Sequence, residues 1–368
     1  MKVNRLFLLA LTAVQTIGIA ACGGGGGGGG GGNPNPEFTE AATLDQPAGA
    51  VFNAGLAIND DAMVIGITDG GATPATLKAA AWVVTPGTAQ PPVATSSSVV
   101  LLVLPVGNGP YSAAYGINDG EFIVGEMVVT TSGLIVPAFW ADRTATAEPL
   151  ALGTATQGSA YGVNTGGRIV GEVIDAGVTM AVTWPTSASA VPTPLSTTTL
   201  NPPTTSSSAY AVNDAGHIIG ELTDSAGIHA VVWRPVAGVY GDPILLPAPT
   251  GLAGDKIALG INSVGQIVGE VEDTLTGFIH AVRWLPGAGT TFVAVDLGSV
   301  GSDSGAAGIN DFGRTVGYVS TVASAWGGGT LATPVTMNAA LTDSKAFAIN
   351  NFVQAVGIRG GRAFVALP

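Results

Sequence analysis

The sequence predicts an all-β fold, a seven-bladed β-propeller, on the strength of three observations. A unit of about 47 residues recurs seven times, six tryptophans fall at one phase of that unit, and a segment before the first unit resembles the strand that the last unit lacks. Units of this length that contain four short strands are typical of propeller blades. The apolar fraction of 46% over 368 residues is also too high for a disordered chain.

An asparagine and a glycine define the repeated unit. Each asparagine follows Ile or Val, and a glycine, itself preceded by Ile or Val, comes seven residues later. The asparagines are Asn59, Asn118, Asn164, Asn213, Asn262, Asn310 and Asn350, and the glycines are Gly66, Gly125, Gly171, Gly220, Gly269, Gly317 and Gly357. An asparagine side chain can bond nearby backbone, and a glycine three residues later can adopt positive φ. The pattern therefore predicts a tight turn between two strands.

A tryptophan marks the third strand of the first six units, 16 to 23 residues after each asparagine. These are all the tryptophans of the chain, namely Trp82, Trp140, Trp184, Trp233, Trp284 and Trp326. A large residue repeated at one position usually fills the wedge between neighbouring repeats. We therefore expect core side chains here rather than platforms for sugars. Runs such as 292–297 predict the fourth strand of each blade.

The two ends of the repeat region predict how the ring closes. The seventh unit stops at Pro368 before a fourth strand, and residues 41–45 resemble that missing strand. We expect this N-terminal strand to complete the last blade, because a closed ring has no free sheet edge. The propeller is accordingly assigned to residues 37–368.

The unit resembles the HAF repeat of extracellular bacterial repeat proteins. The shared pattern is Ala/Gly-Ile-Asn-x-x-Gly-x-Ile/Val-Val-Gly followed by His-Ala-apolar-x-Trp, and 229–233 and 280–284 are its closest second halves. Lys78, Val322 and Arg362 replace the histidine in units one, six and seven. The resemblance implies export and a repeat architecture, and it implies no particular reaction.

Residues 1–21 are typical of a secretory signal, with Lys2 and Arg5 before a short apolar stretch. The segment 19–22 resembles the bacterial lipobox, which implies cleavage before Cys22 and acylation of that cysteine. Cys22 is the only cysteine, so the chain has no internal disulfide. Ten glycines and an Asn-Pro repeat in 22–36 predict a flexible tether. We expect an exported protein, lipid-anchored to the bacterial outer membrane or cell surface.

The composition and the absence of several motifs argue against some classes of function. The net charge is −13 and only 10% of residues are charged, which argues against nucleic-acid binding, since that requires a basic surface. No metal-ligand spacing, serine-hydrolase elbow or nucleotide-binding glycine loop is present. We therefore expect no cofactor and no metal, contact with the membrane through the lipid anchor only, and a monomer.

Four carboxylates are the strongest candidates for a ligand site. They directly follow the repeated glycine in units two to five, as Glu126, Glu172, Glu221 and Glu270. Propeller symmetry would place them on one ring. Near the axis that ring could bind a cation or the hydroxyls of a sugar. Further out, each glutamate would accept bonds from a neighbouring blade or lie in solvent.

The leading hypothesis is a binding or interaction module that uses one loop face to recognise an envelope glycan or protein. The longer connections, 85–98 and 195–208, are candidates for specificity. One alternative is a carbohydrate-active enzyme with Glu126 and Glu172, or Glu221 and Glu270, as paired carboxylates. A second alternative is a purely structural envelope protein. Scarcity of catalytic residue types makes an enzyme the less favoured of these functions.

Overall fold

The computed structural model describes residue 38 and residues 40–71, 76–86, 94–109, 111–185, 190–197, 200, 202–298, 301–328, 333–337 and 342–368. These residues form strands and their connections. No helix among them is long and apolar enough to cross a bilayer. The predicted signal, the lipobox with Cys22 and the tether lie outside the described residues, as do parts of the 85–98 and 195–208 connections.

Seven four-stranded antiparallel sheets form a ring, which confirms the predicted seven-bladed β-propeller. The first strands of successive blades contact one another around the axis, and each blade runs outward from there. From axis to rim the first three blades are β2 (Asn53–Ile58), β3 (Met63–Thr68), β4 (Lys78–Pro86), β5 (Ala94–Leu101); β6 (Ser112–Ile117), β7 (Ile123–Val129), β8 (Leu134–Trp140), β9 (Glu148–Pro149); and β10 (Gln157–Val163), β11 (Ile169–Asp175), β12 (Val178–Trp184), β13 (Thr193–Pro194).

The remaining blades repeat this order. They are β14 (Ser206–Val212), β15 (Ile218–Asp224), β16 (Gly227–Trp233), β19 (Ile244–Leu245); β20 (Lys256–Ile261), β21 (Ile267–Glu272), β22 (Ile279–Pro286), β23 (Phe292–Asp296); β24 (Ser304–Ile309), β25 (Thr315–Val319), β26 (Val322–Trp326), β27 (Val335–Thr336); and β28 (Ser344–Ile349), β29 (Ala355–Arg359), β30 (Arg362–Leu367) with β1 (Glu40–Thr43) outermost.

The N-terminal strand closes the ring, as the sequence predicted. β1 pairs antiparallel with β30, and Thr43 lies opposite Phe364. The backbone N–H of Leu44 continues the pairing by donating to the carbonyl of Ala363 at 2.9 Å. The edge that the seventh unit would otherwise expose is therefore paired, which protects it from edge-to-edge association.

Blade four carries a small hairpin that the sequence analysis did not predict. Strands β17 (Pro235–Val236) and β18 (Val239–Tyr240) lie between the third and fourth strands of the blade. The turn between them contains Ala237 and Gly238, both at positive φ. The Tyr240 hydroxyl donates to the carbonyl of Gly216 at 2.7 Å, so the hairpin lies against the asparagine turn of its own blade.

A β-bulge explains the repeated glycine. In every blade the register between the first two strands shifts by one residue, three positions before the asparagine. The bulge brings a first-strand carbonyl so close that a Cβ added at Gly171 would lie 2.0 Å from the oxygen of Ser159. The other six glycines meet the same obstacle at 1.9–2.0 Å. No larger residue fits without moving backbone.

The six tryptophans are fully buried core residues, each 0% exposed. Each indole N–H donates, at 2.7–3.0 Å, to a carbonyl just beyond the outer strand of the preceding blade. Trp82, for instance, donates to Asp45, which follows β1 and thus links blade one to blade seven. The indole ring fills the space between blades and its single donor is satisfied, so one side chain supplies both packing and register.

The asparagines form a closed ring of hydrogen bonds around the axis. Each side-chain Nδ2 donates to the backbone carbonyl of the asparagine in the next blade, at 3.0–3.2 Å, and Asn350 donates back to Asn59. Each Oδ1 also accepts from the backbone N–H four residues on, at 2.8–3.0 Å. One side chain therefore closes its own turn and binds the neighbouring blade.

Positive φ at the third residue after the asparagine is common to all seven turns, but glycine is not. Gly167, Gly216, Gly265 and Gly313 occupy it in four blades, at φ of 75–81°. Ala62, Glu121 and Val353 hold φ of 60–63° at the same place. The asparagine contacts enforce a left-handed residue there even where a side chain makes it unfavourable.

Asn213→Asp tests the asparagine ring. The substitution keeps the oxygen that accepts from His217 and replaces the donor to Asn262 with a second oxygen facing a carbonyl. Loss of a buried hydrogen bond costs about 1–3 kcal/mol, and we expect that decrease in the free energy of unfolding by chemical denaturation. Asn108→Asp, in a connection between blades, serves as the control and should change it by less than about 0.5 kcal/mol. Equal effects of the two variants would contradict the importance of the ring.

Candidate binding site on the axis of the propeller

A cavity of about 200 Å³ lies on the axis, at the face that carries the asparagine turns. All seven blades line it with residues of these turns: the repeated asparagine, the residue after it and, in most blades, the apolar residue before it. The residues that follow the asparagines are Asp60, Asp119, Thr165, Asp214, Ser263, Asp311 and Asn351. We call this cavity the axial cup.

The residues after the asparagines are held by a second set of bonds between blades. In five of the seven steps a side-chain oxygen accepts the backbone N–H of the residue one blade earlier, at 2.8–2.9 Å. The acceptors are four aspartates and one asparagine, namely Asp119, Asp214, Asp311, Asp60 and Asn351. Because main-chain donors fix these side chains, the wall of the cup is preorganised.

The axial cup is electrostatically negative. Four aspartates line it, and its lining contains no lysine, arginine or histidine. The Asn351 amide donates to Asp60 Oδ2 at 3.0 Å and to Asp311 Oδ2 at 3.1 Å, so one donor serves two carboxylates. Asp119 and Asp214, in blades two and four, are exposed. Like charges in a concave site raise the local concentration of cations.

Aromatic and aliphatic side chains pack across the axis below the cup. They come from the bulged position of the inner strands, and Leu56, Tyr115, Tyr161, Tyr210 and Leu259 form one buried cluster. The ring centroids of Tyr115 and Tyr161 lie 5.6 Å apart, and those of Tyr161 and Tyr210 lie 5.7 Å apart. The bulge that requires the repeated glycine thus also directs a side chain toward the axis in each blade.

The four glutamates do not line the axial cup. Each lies on the second strand of its blade, and none is among the residues that line the cup. Glu126 is 5% exposed, and it accepts from the hydroxyls of Tyr111 at 2.6 Å, Tyr115 at 2.9 Å and Ser159, in the next blade, at 2.5 Å. Both of its oxygens are therefore engaged within the protein.

The other glutamates have similar hydroxyl partners. Glu172 accepts from Ser208, also one blade further on, at 2.5 Å. Tyr210 hydrogen-bonds Glu221, and the Tyr318 hydroxyl donates to Glu270 Oε1 at 3.1 Å. For Glu126, Glu172 and Glu270 this is the arrangement, considered from the sequence, in which a glutamate accepts bonds from a neighbouring blade.

Burial raises the pKa of Glu172 above its ordinary value of 4.5, and repulsion from Glu126 and Glu221 raises it further. Hydrogen bonds from Ser208 and Tyr161 oppose this shift. Desolvation is the main cause of this raised pKa, because a carboxylate between the blades of the propeller loses its hydration. Burial likewise raises the pKa of the tyrosines next to the glutamates. Glu126 is buried and Glu172, Glu221 and Glu270 are partly buried, so the four glutamates form an acidic layer, by which name we refer to them.

The described residues contain no group of three or more His, Cys, Asp and Glu that could hold a metal ion. His229 and His280 contact Asp224 and Asp296, at 3.0 Å and 3.2 Å. The ring of residues after the asparagines was missed as a site by sequence reasoning. Its signal was present, because Asn-Asp recurs in four of the seven units.

Glu172→Gln tests the acidic layer. The raised pKa means that the folded state binds the proton more tightly than the unfolded chain, so ionisation destabilises the fold as pH rises above about 4.5. At pH 7 the variant, which keeps an oxygen for Ser208, should therefore have a higher Tm than the wild type, by roughly 2 °C. Below pH 4 the gain should disappear.

Glu148→Gln on the exposed strand β9 is the matched control for Glu172→Gln. It removes the same charge without changing a buried group, so its effect on the Tm should be near zero at both pH values. A glutamine at 172 that lowers the Tm equally at pH 7 and pH 4 would contradict the argument.

Comparison with known proteins assigns this chain to no family. No protein-family model matches the sequence, and no curated protein is significantly similar to it. Among solved structures, a gluconolactonase from Xanthomonas campestris is 11% identical (TM-score 0.40; 71% of this chain, 92% of that one). A putative gluconolactonase is 8% identical, with a TM-score of 0.41 over 72% of this chain and 96% of that one. An arginine-to-alanine mutant of AofleA from Arthrobotrys oligospora is 12% identical, with a TM-score of 0.38 over 81% of this chain and 90% of that one. At these values the comparisons assign no activity.

Proposed function

We propose that the protein is an exported, lipid-anchored envelope protein whose propeller is a binding module with its ligand site in the axial cup. The observation that supports this function is the cup itself: a cavity to which all seven blades contribute polar side chains fixed by main-chain donors. Concave sites with a few convergent polar groups are the usual form of ligand sites. Preorganised walls also reduce the entropy lost on binding.

Binding is better supported than catalysis. The titratable side chains that line the cup are four aspartates, and Oδ1 of each accepts a main-chain N–H from the neighbouring blade. The lining offers no histidine, cysteine or lysine to pair with them as a second catalytic group. Of the glutamates that a carbohydrate-active enzyme would use, Glu172 and Glu270 each accept a hydroxyl of the protein, and Glu126 accepts hydroxyls with both of its oxygens. A substrate would have to displace several of these bonds before it reached either oxygen.

The membrane attachment rests on the sequence. The HAF-like units and the lipobox support export and acylation at Cys22, and the glycine tether would hold the propeller away from the bilayer. Removal of Lys2 and Arg5 with the signal would leave 10 basic against 25 acidic residues, a net charge of −15. Such a body is repelled by anionic lipid, so the acyl chains would provide the attachment.

Cys22→Ser tests the anchor. In a diderm bacterial host, we expect the wild-type chain to incorporate an alkyne-labelled fatty acid and to fractionate with membranes. The variant should lose the label, because it lacks the thiol that is acylated. Labelling that persists in the variant, or an unlabelled wild type, would contradict lipid attachment at this residue.

Ser263→Trp tests the axial cup as the ligand site. Full-length protein in non-ionic detergent would be screened against envelope glycans, cell-wall fragments and short basic, neutral and acidic peptides. We expect at least one saturable ligand, whose affinity falls about tenfold or more when the indole occupies the cup. Ser225→Trp, on an exposed turn between the second and third strands, is the control and should retain binding. A panel without any ligand would favour the purely structural alternative.

A further inference from the structure

Three large apolar side chains stand exposed beside the axial cup. They are the second residues after the asparagines of blades five, six and seven: Val264, Phe312 and Phe352, which are 62%, 74% and 64% exposed. Each immediately follows a residue that lines the cup, so the three mark one side of its mouth. We call them the apolar arc.

The fold does not require this arc. The same turn position holds Asp61, Gly120, Gly166 and Ala215 in the other four blades, and those turns make the same asparagine contacts. Two phenylalanines on consecutive solvent-facing turns therefore add exposed apolar area without stabilising the ring. Large apolar side chains exposed together on neighbouring turns are typical of interaction surfaces.

The arc is presented rigidly. The backbone N–H of Phe312 donates to Asn310 Oδ1 at 3.2 Å, and that of Phe352 donates to Asn350 Oδ1 at 3.1 Å. The asparagine ring thus fixes the backbone beneath both aromatic side chains. Little conformational entropy of the main chain would be lost when a partner covers them.

The charge next to the arc determines which partner fits. Asp311 precedes Phe312 in sequence, and Asp60, Asp119 and Asp214 complete an acidic cup whose lining has no basic residue. A partner that covers the arc must place its neighbouring groups in this negative field. An acidic or neutral segment would displace the water that hydrates these carboxylates without providing a positive charge in its place. A lysine or arginine would instead pair with them.

We propose that the apolar arc and the axial cup together dock a basic segment of a partner protein. One lysine or arginine side chain enters the cup, and apolar side chains flanking it cover Phe312 and Phe352. A cavity of about 200 Å³ has room for one such long side chain. Carboxylates pair with a guanidinium in fork geometry, and its plane can also stack on phenylalanine. This proposal rests on the proposed function, because it names the ligand class of the same cup.

The test uses the acetylated, amidated peptide Ala-Leu-Arg-Leu-Ala and its counterparts with glutamine or glutamate at the centre. Calorimetric titration of full-length protein in non-ionic detergent at low ionic strength should show saturable binding of the arginine peptide, at least about tenfold tighter than the glutamine peptide. The glutamate peptide should show none. Added salt should weaken the binding, since the recognition is electrostatic.

Two pairs of variants localise the binding. Asp119→Asn with Asp214→Asn removes charge but keeps the acceptor oxygens; blade seven already uses Asn351 there, which accepts from Asp311 at 2.9 Å. Phe312→Ser with Phe352→Ser removes the arc. Each pair should weaken the arginine peptide about fivefold or more. Two controls, Glu148→Gln for charge and Leu275→Ser for an 88% exposed apolar residue, should stay within about twofold of wild type.

Each outcome decides the proposal. Equal affinity for the arginine and glutamine peptides, or unchanged affinity in either variant pair, would overturn it. If a glycan binds to the wild type but not to Ser263→Trp, and the arginine peptide does not bind, the proposal of a basic partner is overturned. The proposed binding module would then be supported. Absence of any ligand for the cup would overturn both.

Discussion

The asparagine ring is the constraint on which the rest of the structure depends. Each of the seven side chains satisfies its own turn through Oδ1 and binds the next blade through Nδ2, so every blade is registered against two neighbours at the axis. An alanine would leave a buried carbonyl and a buried N–H without partners, and an aspartate would oppose two oxygens. The axial cup inherits its geometry from this ring, because its wall residues directly follow the asparagines.

Each asparagine turn combines residues that the framework fixes with residues that can vary. The asparagine and the glycine seven residues later are fixed, one by its hydrogen bonds and the other by a carbonyl that leaves no room for a Cβ. The first residue after the asparagine accepts a bond from the neighbouring blade in five turns, yet Thr165 and Ser263 replace that acceptor in the other two. The second residue varies from glycine to phenylalanine. The chemistry of the axial face is therefore set at positions where substitution leaves the framework intact.

The sequence predicted the architecture well because repetition converts weak local signals into a strong one. The strand order, the tryptophan core and closure by the N-terminal strand all follow from spacing. The depth of a side chain along the axis does not, since it depends on the bulge and on partners in other blades. The position of Glu172 behind Tyr161, the cup beside Asp214 and the hairpin at Pro235–Tyr240 therefore emerged only from the structure.

Closure by β1 has a consequence for how the chain reaches its native state. The Ala363 N–H donates to Asn53 Oδ1, 310 residues away in sequence, and β1 pairs with the third strand of the seventh repeat. Such non-local pairing delays folding, because the loop must be ordered before its contacts form. Once formed, the pairing of β1 with β30 should slow unfolding, since blade one cannot separate until the seventh blade opens. The molecule is thus expected to be long-lived rather than quick to assemble.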